Sequence, residues 1–393
     1  MVIKNLFKNI FQTMGNVFGI ADAQGDHWKK LRKAVNGPFS LPRMKNFMPF
    51  FTKAGKEMVQ FIEKESIKGN KFDASDILKR SVINTLGAVG FGMDAKAFET
   101  EDCELRKNGD LLMQMWRFIL VIMIPSIATF FRISVYNPKA EAWFTALMKK
   151  HIKNRKSQNE IGTDILSTLI KVHEENPEEL DENSLVRTTL QYIFDGYNST
   201  SEQLVGALAF IVTHPDVMTK LTEEIDAVFD AKEDGDIDLT DTDIVGMKYL
   251  DCVLSEVTRL AVVSVSSRCV TKPWKVPGTD LTLPVGVSVY VPISALHKDP
   301  EYWENPLEFD PERFNAENKS KIKSGTYLPF GLGLRQCLGQ NYAKFTMKMN
   351  LIYILRFFDV ENCENMPKNF ELDPDIIMSP KGGLRVKFHK RQL

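Results

Sequence analysis

The chain has 393 residues, 44% apolar and 26% charged, so it can bury a large core, and length alone allows two or three domains. Its 50 basic and 51 acidic side chains are well mixed and sum to a formal charge of −1, which leaves no electrostatic footprint for nucleic acid. The five cysteines, Cys103, Cys252, Cys269, Cys337 and Cys363, form no CxxC pair, which argues against a disulfide framework and for a reducing compartment.

In chain order, Ile3, Leu6, Phe7, Ile10, Phe11, Met14, Val17 and Phe18 recur at helical spacing, with Lys4 and Lys8 interrupting. That stripe predicts a core-facing helix, with a helix lying on a membrane surface as the competing reading, and neither a signal peptide nor a span. Helical periodicity continues over 28–35, 47–64, 74–87, 140–153, 164–173, 183–212, 217–229, 250–260 and 340–358. The apolar run at 118–131 contains Pro125 and is too short to span, so a buried or interfacial segment is expected. The acidic run from Asp230 to Asp243 lacks EF-hand spacing and reads as a solvated loop. Strand patterns are few. Leu281 and Leu283, then Val285, Val287, Val289 and Val291, alternate about a Pro-Val-Gly turn and predict a β-hairpin, and "GGLRVKFH" predicts a strand after a Gly-Gly turn. With no repeat and no Ser/Thr/Pro-rich linker, the simplest organisation is one mainly α domain with small β-sheets over residues 1–393.

The chemistry concentrates at "LPFGLGLRQCLGQNYAKF", residues 328–345. A thiol that ligates metal must be a thiolate, and a long helical pattern starting just after Cys337 offers the positive end of its dipole. Gly331, Gly333 and Gly339 are expected to let the backbone pass close to a bulky partner. One thiolate without a companion Cys or His is a poor zinc site and suits an iron already held by a macrocycle. A catalytic Cys–His pair has no His in a companion motif, and an inert buried cysteine is the remaining alternative.

Phe330, Gly333, Arg335, Cys337 and Gly339 fall on the pattern FxxGxRxCxG. That pattern resembles the haem-ligating signature of the cytochromes P450, and further matches follow the family's order over nearly the whole chain. "SEVTRL" gives the ExxR pair Glu256 and Arg259, "FDPERF" supplies Arg313, and "HWKKLRK" looks like the WxxxR helix.

The resemblance implies the P450 fold, with haem b (iron protoporphyrin IX) on Cys337. Phe330, Gly331 and Gly339 would shape the ligand loop, while Trp28, Arg32, Arg268 and Arg335 would meet the propionates. "FDGYNSTSEQ" stands where the family has AGxxTT, so Gly196 would make room for oxygen, and Ser199, followed by Thr200, would supply the proton-passing hydroxyl. Asn198 replaces the family's acid and cannot relay by ionising, which leaves Asp195 to take over or to cap a kink. Val262 and Val263 replace two prolines after ExxR, and with Val265 would line an apolar pocket or pack in the core.

The implied activity is insertion of one oxygen atom from O2 into a lipophilic substrate. Electrons would come from NADPH through NADPH-cytochrome P450 reductase, possibly with cytochrome b5. Lys29, Lys30, Lys33 and Lys344 would offer the reductase a basic patch, or are ordinarily solvated. The implied location is the cytosolic face of the endoplasmic reticulum membrane. Alternatives are a haem-thiolate isomerase or dehydratase acting on a peroxide, and a non-catalytic remnant. Microsomal members carry an anchor, first helices and first strands before the WxxxR helix, so the chain reads as N-terminally truncated, with the 281–291 hairpin short of sheet partners.

Overall fold

The computed structural model describes residues 25–69, 71–112, 133–158, 162–232, 237–262, 265–373 and 378–393, with 20, 23, 114, 116–117, 120–121 and 124–131. The expected helix over the first twenty residues lies outside the described residues apart from Ile20.

The helices used below are α1 (Gly25–Asn36), α2 (Met48–Ser66), α3 (Ala74–Phe91), α4 (Glu182–Thr213), α5 (Pro215–Asp230), α6 (Lys248–Leu260) and α7 (Gln340–Phe357), and further helices include Pro138–Gln158 and Ile165–Glu175. The strands are β1 (Phe72–Asp73), β2 (Ser266–Cys269), β3 (Trp274–Lys275), β4 (Thr282–Leu283), β5 (Ser288–Val291), β6 (Phe358–Asn362), β7 (Leu372–Asp373), β8 (Ser379–Pro380) and β9 (Arg385–Lys390). The chain is mainly helical with small antiparallel sheets, as the sequence predicts. Among the described residues no single helix is long and apolar enough to cross a membrane.

Backbone contacts divide the chain into two compact units, with α4 running from one into the other. The larger comprises Pro38–Arg106, Gly196–Ser264 and Ile293–Leu393. At its centre α7 is buried on all sides from Phe345 to Leu355, with Thr346, Lys348 and Asn350 included, so its sequence shows no single apolar stripe. Helix α2 packs on it so closely that a Cβ at Gly55 would lie 2.5 Å from the Tyr353 ring. Phe51 stacks on Phe345 at 5.9 Å between centroids. Strand β9 pairs antiparallel with β1 and β6 after the Gly382-Gly383 turn, whose positive φ angles of 83° and 79° only glycine adopts readily.

The smaller unit comprises residues up to Gly37, Lys107–Asp195 and Val265–Pro292. Here α1 buries Trp28, Leu31, Ala34 and Val35 on one face, as its spacing predicts. Asp164 caps Ile165–Glu175 by accepting from Ser167 N–H at 2.9 Å and pairs with Arg155 at 2.7 Å.

Two expectations need correction, and a third narrows. The predicted hairpin does not form: β4 pairs with β3 and β5 with β2, so its two halves belong to different two-stranded sheets. Alternation fixes which face a side chain takes, not which strand it pairs with. The reading that narrows is the apolar run: around Pro125–Phe130, Val121 and Ala128 are buried while Ile124, Ile127, Phe130 and Phe131 are exposed, so the run is not wholly buried and the interfacial alternative stands. The end of the acidic run is not loop, because Thr240 and Asp243 form a reciprocal capping box that starts the helix Asp241–Gly246.

Candidate functional site

The Cys337 loop is folded by its own backbone. Gly331 N–H donates to Leu328 O at 3.0 Å, Gln336 N–H to Gly333 O at 3.0 Å, and Cys337 N–H to Phe330 O at 2.8 Å. Gly331 and Gly333 have φ of 72° and 80°, a left-handed backbone that a Cβ disfavours. Their first reason is therefore turn geometry, whereas the sequence suggests close approach. Gly339 has an ordinary φ of −85° at the cap of α7, and a Cβ there would meet no described atom within 4 Å. Cys337 itself is exposed, three residues before α7, where the helix dipole favours a thiolate.

The residues before the loop are tied to α6. Tyr327 Oη donates to Ser255 O at 3.0 Å and lies 2.9 Å from Thr258 Oγ1. Leu328 N–H donates to His297 Nε2 at 2.7 Å, and His297 Nδ1 lies 3.1 Å from Arg259 O. Burial pushes the His297 pKa down to about 4, so the ring is neutral, Nδ1–H donates and Nε2 accepts. Arg259 and Glu256 are fully buried and joined at 2.7 and 2.8 Å. Arg259 also donates to His297 O and Pro306 O at 2.7 Å each and to Glu308 O at 3.1 Å. Arg313 joins this pair, its Nε 3.4 Å from Glu256 Oε1. The ExxR motif is thus a structural knot rather than an exposed helix pair.

On α4, Tyr197, Thr200 and Ser201 are buried, whereas Asp195 is exposed and Asn198, Ser199, Glu202 and Gln203 are half-buried. Residues 195, 198, 199 and 202 share one helix face, which makes that face a polar stripe. Thr200 Oγ1 is enclosed without a hydrogen-bond partner, so Ser199 carries the accessible hydroxyl of the pair. Asp195 keeps local accessibility yet is surrounded by protein at longer range. That dehydration pushes its carboxyl up to about 7, against the hydrogen bond from Gln191. Glu202 pairs with Lys79 of α3 at 3.3 Å. At Gly196 a Cβ would sit 3.3 Å from Leu86 and 3.7 Å from Tyr342, so this turn of α4 packs against α3 and the first turn of α7.

The other expected residues are placed as follows. Trp28 is buried in α1 and Arg32 is half-buried, within Coulombic reach of Tyr192, whose hydroxyl burial pushes well up. Arg268 is exposed on β2 and donates to Ser267 O at 2.7 Å and Ser266 Oγ at 3.1 Å. Arg335 is half-buried in the turn Gly333–Arg335. Val262 is buried, Val265 is exposed, and Val263 lies outside the described residues. Of the four lysines, Lys29 pairs with Asp26 and Lys33 with Glu179, each at 2.9 Å, and Lys344 sits 5.6 Å over the Phe330 ring.

Sequence reading missed His297, Tyr327 and the Glu202–Lys79 pair. The i,i+3 spacing of Ser199 and Glu202 was a legible signal, but the partners of His297 lie 31 and 38 residues away.

These residues fit haem on two structural observations. A single exposed thiol is presented by a rigid loop at a helix start, and that loop turns exposed Leu332 and Leu334 outward, which suits a flat apolar partner. Among the described residues no group of three or more His, Cys, Asp or Glu could hold a bare metal ion.

The family model "Cytochrome P450" matches residues 3–388. The chain is 29% identical over 384 residues to the lithocholate 6-beta-hydroxylase of Mesocricetus auratus, covering 95% of this chain and 75% of that protein. It is 28% identical over 378 residues to cytochrome P450 3A31 of the same species, covering 94% and 74%. To cytochrome P450 6j1 of Blattella germanica it is 29% identical over 370 residues, covering 91% and 72%. The ligand loop, the buried ExxR knot and this match over almost the whole length agree: the chain belongs to the cytochrome P450 family of haem-thiolate monooxygenases.

Proposed function

We propose that the whole chain acts as one P450 domain that inserts an oxygen atom from O2 into a lipophilic organic substrate. Electrons come from NADPH through a flavoprotein reductase, with cytochrome b5 as an auxiliary donor, at the cytosolic face of the endoplasmic reticulum membrane. The observation that carries this reading is the exposed Cys337 thiol, held in its loop by backbone hydrogen bonds at the start of α7.

Bound haem supplies the activation of dioxygen and the transfer of one oxygen atom. The chain's own residues do the rest. Cys337 would hold the iron through its thiolate, with Phe330, Gly331 and Gly339 shaping its loop. Trp28, Arg32, Arg268 and Arg335 would be the donors to the two propionates, since carboxylates taken out of water need cationic or N–H donors. Gly196, expected to make room for oxygen, instead lets α4 pack closely against Leu86 and Tyr342. Ser199 holds a proton on Oγ and hands it on, with Thr200 behind it. Asn198 orients by hydrogen bonding, and Asp195, whose carboxyl sits near neutrality, replaces the proton.

The test is to load the chain with haem, reduce it, add carbon monoxide and record the Soret band. A red-shifted band with turnover that requires NADPH and reductase is the expected result, and the absence of that band overturns the reading. Asn198 favours a second one: a haem-thiolate isomerase or dehydratase needs no relay acid, and it shows the same band but turns over a peroxide without reductase.

A further inference from the structure

His297 is fully buried yet hydrogen-bonded at both ring nitrogens, and its two partners belong to the two parts of the larger unit that must stay in register. Leu328 opens the ligand loop, and Arg259 carries the ExxR knot. From Leu328 the bonding is continuous: its N–H goes to His297, its carbonyl accepts from Gly331 N–H, and the adjacent Phe330 carbonyl accepts from Cys337 N–H. We propose that neutral His297 is a positioning residue for the Cys337 thiolate, a clamp that fixes the start of the ligand loop to the backbone of Arg259.

Protonation would turn Nε2 from acceptor to donor, facing the Leu328 N–H, and the clamp would open. The charged groups around it act in the same sense. Arg259 on α6 and the adjacent Lys298 both oppose a cationic ring, while Glu256 is already engaged with Arg259 and Arg313, and Tyr327 contributes a neutral ring 5.5 Å away. The inference rests on Cys337 as the iron ligand.

The test uses the haem-loaded full chain and the ratio of the red-shifted, thiolate-type carbon monoxide band to the unshifted one. H297F keeps a ring of similar size and loses both bonds, so the unshifted share is expected to rise about tenfold at about pH 7. H297Q can place its amide oxygen where Nε2 lies and does not titrate. It is expected to keep the wild-type ratio at about pH 7 and to lose the wild type's conversion on acidification towards about pH 4. An H297F ratio equal to that of the wild type overturns the clamp. So does an H297Q acid midpoint equal to the wild type's, which stands as the test should H297F fail to fold. No shifted band in the wild type overturns Cys337 as the ligand, and with it the clamp; a shifted band that ignores both variants overturns the clamp alone.

Discussion

Two polar regions, one around α6 and one along α4, are built on opposite principles. Around α6, Glu256, Arg259 and His297 are completely buried and nearly every donor has its acceptor. Along α4, the stripe from Asp195 to Glu202 is accessible, and its acid sits near neutrality. The first region fixes geometry, and its His297, pushed down to about 4 by burial, does not titrate near neutral pH. The second changes protonation state there, which a proton relay requires and a scaffold avoids. The difference is one of surroundings: the α6 groups are fully buried and joined to one another, whereas the α4 stripe keeps solvent access.

The sharpest break to that contrast comes from the ligand itself. Cys337→Ser should abolish the red-shifted carbon monoxide band and turnover while leaving the circular dichroism of the helices intact. Next, Arg259→Leu strands the Glu256 carboxylate in the interior, a change that costs about 3–5 kcal/mol when one partner of a buried pair is removed. Denaturant unfolding should show it, and haem should be retained poorly. If Arg259→Leu unfolds at the wild-type midpoint, the α6 knot is not structural and the contrast fails.

On the relay side the effects are smaller and fall on coupling, not folding. Ser199→Ala should cut product formed per electron pair by about tenfold or more, with an unshifted unfolding midpoint. Asp195→Asn should lower coupling by a smaller factor and flatten its pH dependence. The acid form of Asp195 is present below about 7, so wild-type coupling is expected to fall as pH rises through neutrality, whereas the variant's does not. The sign for stability follows from the same shift. The folded state holds the Asp195 proton more tightly than the unfolded chain, so the wild type loses stability relative to Asp195→Asn as pH rises from about 4 to about 7. Equal coupling in both proteins across that range removes Asp195 from the relay.

Much of the fold was legible in the sequence. The span of α4, the end of α6 and the start of α7 fall where the helical pattern of apolar residues puts them. The Cys337 loop was readable from its motif, though its glycines serve a left-handed backbone at 331 and 333 before they serve any neighbour. The strands at 281–291 were misread because alternation names the faces and leaves the partner open, and here β4 and β5 turned to β3 and β2 instead of each other.

By itself, then, the sequence determined the spans of the long helices and that a thiol precedes a helix start, and through the family resemblance it marked Asn198 as standing where the family has an acid. Those properties are written in local spacing and residue type. Only the tertiary structure decided that Glu256 and Arg259 are buried, that Ser199 rather than Thr200 offers the accessible hydroxyl, and that Asp195 titrates near neutrality. It also decided that His297 joins the ligand loop to α6. Each of these depends on what surrounds a group in space, since desolvation and hydrogen-bond partnership arise from contacts between residues far apart in the chain.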